Sequence, residues 1–301
     1  VRHSPSASKR HAKVAHEFVP ACPCFVFFGG ALNSYSQTSV DQYLVARWLL
    51  NGTAADSVGT ANGVATNVSW TTDTILGQQR QVAYMGNAGS SISISSNSSL
   101  NLQSGGFTIV GWVKSPDLSA VSTVNSYYTL IDSQGVSGQH ESAYDLRYSA
   151  SSLNFLFSTQ DVYPGSDPGY RNVKFYKTSE SANDLLLPNE WNLIALSYDG
   201  SVFRAFVNDE ELLIAGDNHL TAGASYISSR PTALGGRADG LTGGYDPENN
   251  GYISDVRIYN TALSGGAIAS LAGVPEPSTY ALVIGAFVLG GACLQRIRSR
   301  P

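Results

Sequence analysis

Residues 191–207 read Trp191-Asn-Leu-Ile-Ala-Leu-Ser-Tyr-Asp-Gly-Ser-Val-Phe-Arg-Ala-Phe-Val207. Two short apolar and aromatic runs, Trp191–Tyr198 and Val202–Val207, flank Asp199-Gly200. Both runs are too short for helices, and an Asp-Gly pair accepts the unusual backbone angles that a tight reversal demands. The stretch is therefore read as a β-hairpin, the strongest such signal in the chain.

Nearly every other readable element is also a strand. Phe107–Lys114 alternates Phe107, Ile109, Gly111 and Val113 against Thr108, Val110 and Trp112. Leu44–Leu50, which is apolar and contains Trp48, is read as a strand, as are Tyr128–Asp132, Ala143–Tyr148, Leu153–Thr159, Val173–Thr178, Glu211–Ala215, Thr232–Gly235 and Tyr252–Tyr259. Gln81–Asn87 and Ser91–Ser96 are read as a strand pair. The longest helical period is Ser264–Leu271. Short strands with regular turn signals, and no internal repeat, specify an all-β, two-sheet antiparallel jelly-roll sandwich. Trp48, Trp112 and Trp191 are expected to fill the space between the sheets.

The two ends have a different character. Residues 1–36 read as an export signal: Arg2, Lys9, Arg10 and Lys13 precede an apolar run from Phe18 to Leu32 and small residues before Gln37. Residues 274–301 carry Pro275-Glu276-Pro277, an apolar run from Tyr280 to Leu294, and then Arg296, Arg298 and Arg300. Ser278–Leu294 would span roughly 25 Å as a helix, close to the hydrocarbon thickness of a bilayer. The arginines favour the cytoplasmic side and leave the preceding body outside. This order of motif, apolar helix and basic tail resembles the PEP-CTERM sorting signal of Gram-negative bacteria. The resemblance implies processing by an exosortase-type enzyme, transit through the inner membrane, and a final place at the cell surface or in an exopolysaccharide matrix.

The body is then 37–273. All three cysteines, Cys22, Cys24 and Cys293, lie in the end segments, so the body holds no disulfide. The whole chain carries a formal charge of −5. Setting aside the ends leaves 11 basic and 21 acidic residues, about −10. That balance argues against nucleic acid, whose binding needs clustered cations.

Several blocks of the body resemble the LamG-like, concanavalin A-like jelly-roll domains. They are Trp48-Leu-Leu-Asn-Gly-Thr-Ala-Ala-Asp56-Ser-Val-Gly59, Phe107–Lys114, Trp191–Gly200, Phe206-Val-Asn208-Asp209, and Gly251-Tyr-Ile-Ser-Asp255-Val-Arg-Ile-Tyr-Asn-Thr-Ala-Leu-Ser264. They occur in the family order across about 40–272. Asn51, Asn208-Asp209 and Ser254 depart from the family pattern. The resemblance implies neighbouring first and last strands and a carbohydrate-binding or envelope-binding role.

The familiar catalytic motifs are absent from the sequence. Glucanases of this fold place acidic residues on one strand as E-x-D-x-E, and no such run occurs. Glu141–Asp145 has the wrong spacing, and Asp209-Glu210-Glu211 falls at a turn. A G-x-S-x-G nucleophile motif is absent as well. Calcium is the expected cofactor, because it takes oxygen ligands. Asp246, Glu248 and Asn250 place such side chains at alternate positions before Gly251, and the implied neighbourhood of the first and last strands adds Asp56 and Asp255. The alternative is that Asp56 shapes a turn and Asp255 pairs with an arginine such as Arg257. Asp161, Tyr163, Asp167 and Tyr170 mix carboxylates and aromatic faces in one loop, a composition suited to a shallow sugar site. The expected function is a non-catalytic surface or matrix protein that binds a glycan or an envelope protein. A polysaccharide hydrolase or lyase, and a purely structural matrix protein, are the alternatives.

Overall fold

A computed structural model describes residues 40–87, 89–102, 105–116, 118, 127–133, 144–158, 170–179, 181–215, 231–236 and 251–273. The export segment 1–36 and the sorting segment 274–301, with its expected hydrophobic helix, lie outside the described residues. Among the described residues no helix is long and apolar enough to cross a membrane.

The chain order begins with β1 (Leu44–Trp48), β2 (Gly63–Thr66), β3 (Ser69–Ile75), β4 (Gln78–Tyr84) and β5 (Ser91–Ile94). It continues with β6 (Phe107–Lys114), β7 (Tyr128–Asp132), β8 (Tyr144–Tyr148), β9 (Leu153–Ser158) and β10 (Tyr170–Tyr176). β11 (Asn192–Tyr198), β12 (Phe203–Val207), β13 (Glu210–Glu211), β14 (Leu213–Ala215), β15 (Thr232–Leu234) and β16 (Tyr252–Tyr259) follow, and α1 (Gly265–Leu271) closes the series. The strands form two antiparallel sheets. The first runs β13-β12-β11-β6-β16-β4-β3, with β1 also on β16, and the second runs β14-β10-β9-β8-β7-β15-β5-β2. This is the two-sheet jelly roll expected. β4 and β5, read above as a pair, fall in different sheets; the chain crosses between sheets at 85–90, where Ser90 closes a turn back to Asn87.

The hairpin of residues 191–207 forms as expected. Tyr198 pairs with Phe203, and the Asp199 carboxylate accepts the amide N–H groups of Ser201 and Val202. Gly200 takes φ +91° in this turn, where a side chain would be strained. In the next turn Asn208 stands at φ +57°, which asparagine tolerates better than most residues.

The inner faces of both sheets share one apolar core containing Trp48, Phe107, Tyr148, Phe155 and Phe203. The Trp48 indole N–H donates to the Ala61 carbonyl at 2.7 Å. Gly111 faces Leu130 so closely that an added Cβ would stand 2.8 Å from a Leu130 methyl, which explains a glycine in a central strand. Trp112 and Trp191 do not join this core. They belong to a second apolar cluster that also holds Val110, Phe206, Ile268 and Leu271. α1 covers that outer face of the first sheet, with Ser264 capping its first turn by accepting from the Ala267 N–H. Strand β6 is thus apolar on both sides because both sides are buried.

The first and last strands are neighbours: Arg47 of β1 pairs with Arg257 of β16. β16 is also paired with β6 on one edge, and on its other edge with β4 at Tyr252–Ile253 before β1 takes over. At the change of partner the register slips between Ser254 and Arg257, and Asp255 adopts φ +48°. A β-bulge with a left-handed aspartate is strained unless its side chain is held. Here it is held. The Asp255 carboxylate takes both the Nε and Nη2 donors of Arg47, at 2.8 and 3.0 Å, and of Arg257, at 3.0 and 2.6 Å. Burial alone would raise its pKa, but the hydrogen bonds and charges of Arg257 and Arg47 prevail and hold it at about 2.

Two expectations follow from this bulge. Asp255→Ala leaves Arg257 buried without its counter-ion and lowers stability by about 3–5 kcal/mol, read as a drop in Tm on the order of 10 °C. The carboxylate is depressed on folding, so its contribution of roughly 2 kcal/mol is full above pH ~4 and is lost as pH falls toward ~2. Equilibrium unfolding across that window should show a shallower acid slope for Asp255→Asn than for the native chain.

Candidate functional site

Strand alternation in β7–β10 sends Tyr144, Leu146, Phe155 and Val173 into the inter-sheet core. Their neighbours therefore point to the outer face of the second sheet. Cross-strand register arranges these neighbours in two rows. One row is Thr129, Arg147, Asn154 and Lys174. The other is Asp132, Asp145, Leu156 and Asn172, and Ala233 extends it on β15. An outer sheet face is ordinarily a wet one, but Asp132 is 2 % exposed, Asp145 4 % and Asn154 0 %. Accessibility rises toward β10, where Lys174 is half-buried and Asn172 exposed. The result is a polar floor that is closed over β7–β9 and open on the β10 side.

The chemistry of this floor is mixed. Asp132 and Asp145 are direct cross-strand partners, a position in which Cβ atoms stand ~5 Å apart. Arg147 Nη1 is 3.6 Å from an Asp145 oxygen, and its guanidinium lies 4.4 Å from the centre of the Tyr127 ring. This contact places the cation over an aromatic ring. Asn154 donates through its amide nitrogen to Ser152 Oγ at 3.0 Å. Its Oδ1 and the Arg147 Nε–H are both buried and have no hydrogen-bond partner among the described residues. An acceptor and a donor thus stand on directly paired residues, each lacking a partner, and burial makes that costly.

Of the residues expected to hold sugar, Asp161, Tyr163 and Asp167 lie outside the described residues. Tyr170 is the first residue of β10, its backbone paired with Ser158. The connections 134–143 and 159–169 leave and re-enter the sheet beside the Asp132–Asp145 row, at Ser133/Tyr144 and Ser158/Tyr170. Thr232 stands at the same end, its hydroxyl 3.3 Å from the Ser133 hydroxyl. Arg147, Asn154, Asp132 and Asp145 were not singled out from sequence as a site. Only the pairing register brings them together; the one available signal was polar residues inside otherwise apolar strands.

Of the residues expected to hold calcium, Asp246, Glu248 and Asn250 also lie outside the described residues. Asp56 and Asp255 are described, and they do not fit a metal site. The Asp255 oxygens are filled by Arg47 and Arg257. Asp56 shapes a turn instead: it accepts the N–H groups of Arg47, Val58 and Ala61, each at 3.0 Å. Burial pushes its pKa up, but the amides of Arg47, Gly59, Val58 and Ala61 together bring it below the ordinary value. Among the described residues no group of three or more His, Cys, Asp or Glu is placed to hold a metal ion. Asp56→Ala, which strands these amides, should cost about 2 kcal/mol. In thermal melts, millimolar Ca²⁺ should shift the variant and the native chain equally.

The family Laminin_G_3, described as the concanavalin A-like lectin/glucanases superfamily, matches residues 86–269. Among solved structures, the botulinum neurotoxin serotype D binding domain superposes with a TM-score of 0.55 at 16 % identity, covering 79 % of this chain and 52 % of that one. The binding domain of Paraclostridial Mosquitocidal Protein 1 gives 0.56 at 16 % identity, over 77 % and 52 %. The botulinum neurotoxin serotype D ligand-binding domain in complex with N-acetylneuraminic acid gives 0.53 at 15 % identity, over 79 % and 52 %. The chain spans about half the length of these structures, and at such identities the likeness is one of fold. A search of curated proteins finds no match. The family match extends over more than half of the sequence and includes β6, the hairpin of residues 191–207 and β16, and the chain belongs to the concanavalin A-like lectin/glucanase superfamily.

Proposed function

We propose that this protein is an exported, non-catalytic glycan-binding protein of the bacterial surface or extracellular matrix. Its ligand would lie on the outer face of β7–β10. The observation that carries this reading is the cross-strand pair Arg147 and Asn154, with one orphan donor and one orphan acceptor. A hydroxyl group entering this floor from the open β10 side would answer both needs, since a hydroxyl can accept from Arg147 Nε–H and donate to Asn154 Oδ1. Sugars are dense in hydroxyls and offer an apolar ring face, which Tyr127 could meet on the same side. The fold-level likeness to a binding domain crystallised with N-acetylneuraminic acid is consistent with this use. The loop with Asp161, Tyr163, Asp167 and Tyr170 would supply the rim. Any calcium would fall to Asp246, Glu248 and Asn250. The sorting segment, with Pro275, Glu276 and Pro277, would direct the chain to an exosortase-type enzyme.

One observation favours a second reading. Asp132 and Asp145 face each other across neighbouring strands, and glycoside hydrolysis by retention uses two carboxyls about 5–5.5 Å apart. In that reading the same face would be a hydrolase cleft.

Affinity electrophoresis of the full chain against neutral and acidic polysaccharides, including the producing cell's own exopolysaccharide, separates these readings. Retardation that Asn154→Ala or Arg147→Gln weakens about tenfold or more supports binding at this face. Retardation by no polymer overturns it. Release of reducing ends that Asp145→Asn abolishes would move the protein to the hydrolase reading.

A further inference from the structure

Three guanidinium groups converge on Asp255 from three strands: Arg47 of β1, Arg80 of β4 and Arg257 of β16. The carboxylate can serve two of them. Its oxygens accept a two-pronged hydrogen-bond pair from Arg47 and another from Arg257. Arg80 stands off at 3.8 Å, too far for a hydrogen bond. It makes no hydrogen bond to a described residue, and its Nε is buried without a partner. Asp73, its direct cross-strand neighbour, is committed elsewhere, to Lys114 Nζ at 2.8 Å and to the Trp191 indole at 3.1 Å. Asp41 is felt at the Tyr259 hydroxyl. Even counting it, three cations face two carboxylates. Burial and the charges of Arg257 and Arg47 both disfavour the Arg80 cation, against the attraction of Asp255.

A protein with a body charge of about −10 has thus gathered a local cationic surplus on the outer face of its first sheet. Arg80 and Arg47 keep 25 % and 23 % of their side-chain surface open, while Arg257 lies beneath with 6 %. A guanidinium fork that is uncommitted, partly open and crowded by like charge matches a planar or tetrahedral oxyanion in both shape and sign. We propose that Arg80 and Arg47 form an oxyanion site, filled by a carboxylate or sulfate group such as an acidic polysaccharide carries. This site lies on the opposite sheet from the Arg147–Asn154 face and stands whether or not that face binds sugar.

The test uses the full chain, with inorganic sulfate and a polyuronate as probes and a neutral glucan and chloride at matched ionic strength as controls. Sulfate stabilises proteins generally by exclusion from their surfaces, so the readout is the difference between the native chain and Arg80→Gln. The native chain should gain roughly 5 °C in Tm at saturation with sulfate or polyuronate, and Arg80→Gln should gain none beyond the control. Without ligand, Arg80→Gln should melt at nearly the same temperature as the native chain, because the attraction to Asp255 that it removes is offset by the repulsion of Arg257 and Arg47, and no hydrogen bond is lost. Saturation by sulfate alone would make the site one for small free anions. Saturation by the polyuronate, at a lower concentration of anionic groups, would assign it to an acidic polymer. Equal shifts in both proteins, or a clear loss of stability in ligand-free Arg80→Gln, would overturn the proposal and leave Arg80 a structural residue.

Discussion

The bidentate clasp of Arg47 and Arg257 on Asp255 is the constraint on which the first sheet depends. β16 pairs with β4 and then with β1 along one edge, and where one partner gives way to the other its backbone slips against β6 on the opposite edge. The slip puts an aspartate into left-handed backbone, a conformation that resists side chains. Two guanidinium forks make it the stable arrangement, and one of them comes from the very strand that β16 must meet next. A single carboxylate therefore sets the bulge, aligns the first strand with the last, and hands β16 from one partner to the other. The apolar core could be filled by many combinations of large side chains. This junction could not.

Much of the architecture was legible in the sequence because it rests on local pattern. β6, β7 and β16 were bounded correctly, since apolar alternation ends where a polar or turn residue begins. β2 and β3 escaped notice for the opposite reason. Gly63–Thr66 and Ser69–Ile75 are edge strands, mostly exposed, and an exposed strand need not alternate. The positions of Trp112 and Trp191 were misjudged because a strand apolar on both faces does not say which face meets the other sheet. Only the docking of α1 makes the outer face of β6 an interior.

The candidate sites were less legible, and the reason is register. Asp132 and Asp145 are separated by a connection in which nothing marks them as partners. Arg147 and Asn154 sit on either side of a tight turn through Ser149 and Ser152. Within one strand, carboxylates at alternating positions would have been visible. Across strands, their meeting depends on a bulge between Thr129 and Ile131 that shifts the pairing by one residue. Without that bulge Asp132 would face the other way. Calcium was read at Asp56 and Asp255 from the implied meeting of the first and last strands, and that neighbourhood does not reveal that backbone amides and arginines already occupy those oxygens.

The central place of β16 has a consequence in time. It is nearly the last element made, yet it lies between β6 on one side and β4 and β1 on the other. Until residues 252–259 have left the ribosome the first sheet is split into two parts with open edges, and its longest-range pairing, Leu44 with Tyr259, has no partner. Such non-local closure makes folding slow. For a chain proposed to cross a membrane, that delay is useful: the polypeptide remains threadable while it is being synthesised and becomes a closed sandwich only when its final strand arrives.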